Sequence, residues 1–65
     1  MALTLRAWRL AREISQEKMA DMLGIHVNTY QNWEKAPENI SIGFARKISD
    51  ILGVSENEID FTEKR

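Results

Sequence analysis

Residues Gln16 to Glu34 read QEKMADMLGIHVNTYQNWE, and the apolar positions of this stretch change phase once, at Gly24, without losing helical spacing. Before the glycine, Met19, Ala20 and Leu23 share a face at i, i+1 and i+4; after it, Val27, Tyr30 and Trp33 recur at i, i+3 and i+6. The pattern predicts two short helices, about 16–23 and 27–35, joined by one tight turn. Such a turn needs a residue that takes φ > 0 without a Cβ clash, which Gly24 does at least cost. Ala20, four residues earlier, is small where the second helix of the pair would cross the first. A larger side chain there would push the two axes apart.

Working outward, Thr4 is placed to cap a first helix running to about Arg12, with Leu5 and Trp8 facing inward and Glu13 ending it. Ser15 caps the second helix, Glu17 adds negative charge to its positive end, and Ile14 sits where a hydrophobic staple begins. His26 occupies the cap of the third helix, where Ser or Thr would be the better acceptor. Pro37 disfavours helix at Ala36, so 36–40 reads as a loop, with Glu38 its only charged residue. Ser41 caps a fourth helix with Ile42, Ala45, Ile48, Ile51 and Leu52 inward and Gly53 as its stop. Ser55 caps a short fifth helix ending near Ile59. Phe61 then precedes a polar tail, residues 62–65, where nothing local could bury it.

The set Ser15-Gln16, Ala20, Gly24, Ile25, Trp33-Glu34 and Leu52-Gly53, with Arg9 ahead and ISIGFARKISDILGVSENEI (Ile40 to Ile59) behind, resembles the Cro and lambda-repressor-like (XRE-type) helix-turn-helix family. The resemblance covers nearly the whole chain. It implies an all-α fold, a compact five-helix domain over residues 1–61. It also implies that Glu13 stands where the family often has a left-handed Gly or Asn, a mildly strained place for Glu. Arg9 and Glu34 correspond to the family's Arg and Glu, which link helix 1 to the end of helix 3 as a partly buried, bidentate ion pair. Two independent surface charges are the plainer reading, but Glu34 near the negative end of a helix is otherwise poorly placed.

The outward face of the third helix holds Val27, Asn28, Gln31, Asn32 and Lys35, polar except for its first residue. Asn and Gln amides can give and accept together at the N6/N7 edge of adenine, and Val suits the thymine methyl. An ordinary solvated face would more often hold Glu, Lys and Arg, and an Asn-rich exposed helix has poor intrinsic propensity. By resemblance, Gln16 touches the phosphate backbone and braces the first reading residue, and Lys35 meets the same strand from the far end of the helix. Thr29 is within reach of backbone or base, and His26 either reaches a phosphate or is a tolerated surface residue. Arg12 either adds an electrostatic contact or offsets the helix dipole, and Arg6 is likewise unassigned. The family often makes its two-fold contact at and after helix 5, which makes Phe61 the candidate dimer residue. Trp8, Tyr30 and Trp33 invite comparison with a single-strand stacking platform, but their spacing assigns them to the core.

Composition bounds these readings. The 65 residues make one small domain with no room for a second sensing or catalytic unit. The absence of Cys excludes disulfides and thiolate metal sites, and one His makes a zinc site improbable, so neither metal nor cofactor is expected and the chain reads as cytosolic. MALTLRAWRLAR (1–12) has three Arg and no acid, like a targeting peptide, yet removing it would strip the helix that the others bury against. No apolar run approaches the roughly 18 residues of a membrane span. The net charge of −1 is unusual for a ligand of a polyanion; residues 1–36 carry five Lys or Arg against four acids, residues 37–65 four against six. The leading expectation is a sequence-specific double-stranded DNA-binding regulator, a repressor acting as a dimer on a palindromic operator. The alternative is a protein-interaction module, of antitoxin or anti-repressor type, on the same fold. An enzyme fits least, because there is neither a Cys–His dyad nor a phosphate-cradling Gly loop.

Overall fold

The computed structural model describes residues 2–61, so the polar tail expected at 62–65 lies outside the described residues. Each helix boundary has a local chemical cause. The Thr4 hydroxyl accepts from the Ala7 N–H and starts α1 (Leu5–Ala11). Ser15 accepts from the Lys18 N–H and starts α2 (Gln16–Leu23), which ends at Gly24 with φ 70°. A Cβ on Gly24 would meet nothing within 4 Å, so backbone conformation alone, rather than space, calls for glycine there. Helix α3 (Val27–Lys35) is capped by His26, and α4 (Ile42–Leu52) by Ser41, which accepts from the Phe44 N–H. Gly53, φ 74°, closes α4.

The core lies where the four helices meet: Leu5 from α1, Met19, Ala20 and Leu23 from α2, Tyr30 from α3, and Ile48 and Leu52 from α4, with Ile59 added from the C-terminal side. Ala20 is buried. Trp8 and Trp33 pack onto this core half-buried, and the Trp33 ring lies 5.0 Å from that of Phe44. The three aromatics are therefore core groups and offer no open stacking platform.

Four expectations need correction. The loop 36–40 contains a 3₁₀ turn, Pro37–Asn39, because proline fixes φ at a helix start as well as it stops a helix. Ile42, expected to face inward, is 78% exposed: at the first position of α4 it lies beyond the end of the core, and Ile40 before the cap packs there in its place. The fifth helix is absent among the described residues. Its segment forms a 3₁₀ turn, Glu56–Glu58, followed by β2 (Ile59–Asp60), which pairs in parallel with β1 (Leu3–Thr4) in the register Leu3 to Ile59 and Thr4 to Asp60. The β-branched Ile59 and the extended residues before Thr4 favour that pairing over a last helical turn. Finally, Phe61 is not left without local cover; it follows β2 and packs half-buried against the core.

Two side chains fasten this terminal clasp. Trp8 Nε1–H donates to the Glu58 carbonyl at 2.7 Å, and Arg12 Nε donates to the Leu52 carbonyl at 2.8 Å while its guanidinium lies 5.0 Å from the centre of the Trp8 ring. Arg12 thus satisfies a carbonyl at the negative end of α4, so the dipole it offsets includes that of α4 as well as that of its own helix.

Glu13 holds φ 58° and is exposed, the one non-glycine residue with positive φ among the described residues. Glu13→Gly should therefore stabilise the fold by about 1 kcal/mol, because the strain of a Cβ in this region exceeds the added chain entropy. Urea unfolding midpoints of the two proteins check this, and an unchanged or lowered midpoint contradicts it.

Candidate nucleic-acid interface

Helix α3 is fixed from behind by a buried charge cluster. Arg9 Nε donates to Glu34 Oε2 at 2.5 Å and Arg9 Nη2 approaches Oε1 at 3.4 Å, with side-chain exposures of only 8% and 4%. Arg9 Nη1 also donates to the Ile14 carbonyl at 2.8 Å, so one guanidinium joins α1, the segment before α2 and the end of α3. Such a fork suits Arg and not Lys. Gln16 Nε2 adds a third donor to the carboxylate, 3.0 Å from Oε1. Burial alone would raise the Glu34 pKa, but the hydrogen bonds from Arg9 and Gln16, with the Tyr30 hydroxyl close by, outweigh it and hold the carboxyl below its usual range. The enclosed Tyr30 hydroxyl itself makes no hydrogen bond of good geometry, and burial beside the carboxylate pushes its pKa up.

On the opposite side of α3, Asn28, Thr29, Asn32 and Lys35 are exposed. Gln31 is partly covered, because its Nε2 donates to Gln16 Oε1 at 3.2 Å. Gln16 therefore braces Gln31 and not the first residue of the helix, Val27, whose side chain has no polar group to brace and packs half-buried against the core. His26 Nδ1 accepts from the Asn28 N–H at 3.1 Å, so the imidazole is a working cap. With Nδ1 as acceptor the ring proton sits on Nε2 of this exposed side chain. Arg6 from α1, Gln16 from α2, and Gln31, Glu34 and Lys35 from α3 line an open cleft. Sequence reasoning did not foresee the Gln16–Glu34 bond or the place of Arg12; Trp8 four residues before Arg12 was the readable signal for the latter. No group of three or more metal-ligating side chains occurs among the described residues, and no helix there is long and apolar enough to cross a membrane.

Removing the Glu34 charge while keeping its shape tests the cluster. Glu34→Gln leaves Arg9 buried without its counter-charge and should cost roughly 3–5 kcal/mol. Because the folded pKa is depressed, the stabilisation from the carboxylate is complete above the ordinary Glu value of 4.5 and is lost as pH falls below it. Denaturant melts from pH 7 down to pH 3 should show the wild type losing stability faster than E34Q. Parallel pH profiles would contradict the assignment.

No curated protein and no solved structure matches this chain. A helix-turn-helix family does match, over residues 5–59, a span that runs from the first residue of α1 into β2 and contains the Gly24 turn, the Arg9–Glu34 pair and the amide-bearing face of α3. The chain belongs to the Cro/C1-type (XRE) helix-turn-helix family, whose domains bind double-stranded DNA and regulate transcription.

Proposed function

We propose that the protein is a transcriptional repressor that binds a palindromic operator as a homodimer, placing α3 of each copy in successive major grooves roughly 34 Å apart. The observation that carries this reading is the division of α3 into two faces. One is anchored by Tyr30, Trp33 and the Arg9–Glu34 pair, while the other exposes Asn28, Thr29, Asn32 and Lys35 with no carboxylate among them. Amides that both give and accept suit base edges, and they carry no charge that a phosphate would repel. In this assignment Asn28 and Asn32 make most of the base choice, with Thr29 at backbone or base. Lys35, Gln16 and the Nε2–H of His26 meet phosphates and set the register. Val27, being half-buried, offers only part of its side chain to a thymine methyl.

At a net charge of −1 a single copy has few cations with which to displace counterions, so the DNA-binding reading requires a dimer. Two half-sites double that contribution. Phe61 remains the proposed contact between copies, with only the uncovered part of its ring available for it. The same net charge and the exposed Glu38 favour the second reading, an interaction module that has lost DNA binding.

Titrating a mixed duplex pool at two salt concentrations separates the readings. A DNA-binding dimer loses affinity steeply with salt, whereas an interaction module binds almost nothing even at low salt. Within the first reading, Asn28→Ala should weaken binding to a selected operator by about 1–3 kcal/mol while leaving the thermal midpoint in place. An unaltered operator preference removes Asn28 from the reading face.

A further inference from the structure

Two hydrogen bonds run in series from a buried charge to the outward face of α3. Glu34 Oε1 accepts from Gln16 Nε2 at 3.0 Å, and Gln16 Oε1 accepts from Gln31 Nε2 at 3.2 Å. The two ends of a Gln amide are ordinarily interchangeable, but here each orientation is dictated by the group behind it. Ionised Glu34 can only accept, so Gln16 must turn its NH₂ towards the carboxylate and its carbonyl towards Gln31. That carbonyl can only accept as well, so Gln31 must turn its NH₂ inward. What Gln31 has left for a ligand is its Oε1 and the second N–H.

We propose that Gln31 is a specificity-determining residue whose amide orientation is set by Glu34 through Gln16, so that it selects a base presenting an exocyclic amino group, adenine above all. The inference rests on the DNA-binding reading and deepens it. Adenine offers the N6 amino donor to Oε1 and the N7 acceptor to the remaining N–H; cytosine offers only its N4 donor, and guanine and thymine present acceptors at O6 and O4 that would face the Gln31 carbonyl. The brace reaches the fifth residue of α3 because the first, Val27, is apolar and half-buried. Gln16 acts in this as a positioning residue. Arg9 takes part indirectly, since it neutralises the carboxylate that fixes the whole series.

The test begins by selecting bound duplexes from a random library with the wild-type protein, then measuring competition by all single-base variants of the selected site. Wild type should prefer adenine at one position per half-site. Gln31→Ala should flatten the preference there, with roughly a tenfold or larger loss of discrimination. Gln16→Ala keeps Gln31 but frees its amide to flip, and should relax discrimination at that same position and leave the others in place. If Gln16→Ala leaves discrimination at that position unchanged, whatever its effect on overall affinity, or if Gln31→Ala leaves the profile intact, the assignment is overturned while the DNA-binding reading stands. If the wild type selects no duplex at all, both fall together. Thermal midpoints of Q16A and Q31A, read alongside, separate lost discrimination from lost fold.

Discussion

The Arg9–Glu34 pair is the constraint on which the arrangement of helices depends. Both side chains are nearly enclosed, and two charges withdrawn from water carry a desolvation cost of several kcal/mol that Coulomb attraction alone does not reliably offset. Here the remaining capacity is filled. Glu34 receives donors at both oxygens, and Arg9 spends its third nitrogen on the Ile14 carbonyl. A pair of apolar side chains could occupy the same volume at similar or lower free energy, but it would tolerate sliding and rotation. A bidentate fork does not. The pair therefore contributes geometry: it fixes the angle at which α3 leaves α2 and the rotation of α3 about its own axis.

That fixation matters because α3 is a poor helix by itself. Val27, Asn28, Thr29, Tyr30, Asn32 and Trp33 all have modest propensity, and nine residues are too few to hold helical structure alone in water. Its order is borrowed from packing: Tyr30 enclosed beneath it, Trp33 against Phe44, and the carboxylate of Glu34 held at its end. The side chains that weaken the helix are the amides on its outer face. A sequence that accepts this local conflict and compensates it from the core places its exception at the surface that meets the ligand.

The helical layout was legible because each boundary is written in one or two residues. Thr4, Ser15 and Ser41 are hydroxyl caps, Gly24 and Gly53 are left-handed stops, and the single phase change at Gly24 leaves one way to fold the pair. What escaped the sequence was interaction between segments far apart in the chain. The β1–β2 pairing joins residues at opposite ends, each too short to show an alternating pattern. Ile42 fitted the inward stripe of α4 by spacing, yet helical phase says nothing about where the neighbouring core ends. The ion pair was foreseeable from the family pattern and from the misplaced charge of Glu34 at a helix's negative end, whereas the bond from Gln16 to Glu34 follows from a geometry that neither spacing nor composition encodes.

The clasp at the termini bears on the interface although it lies away from it. Helix α1 carries Arg9, and its other attachments are to the C-terminal part of the chain, through Trp8 to the Glu58 carbonyl, Arg12 to the Leu52 carbonyl, and β1 to β2. These bonds stop α1 from moving along its axis. Because Arg9 sits two turns or less from each of them, any slack in the clasp would reach the guanidinium, then Glu34, and so the pose of α3. The position of the outward amides is thus set by a closed loop of contacts that runs through both ends of the chain, and α4 serves as its strut: its carbonyl end receives Arg12 while Ile48 and Leu52 share the buried core with Tyr30. A domain with so little apolar volume gains rigidity from that closure more than from the size of its core.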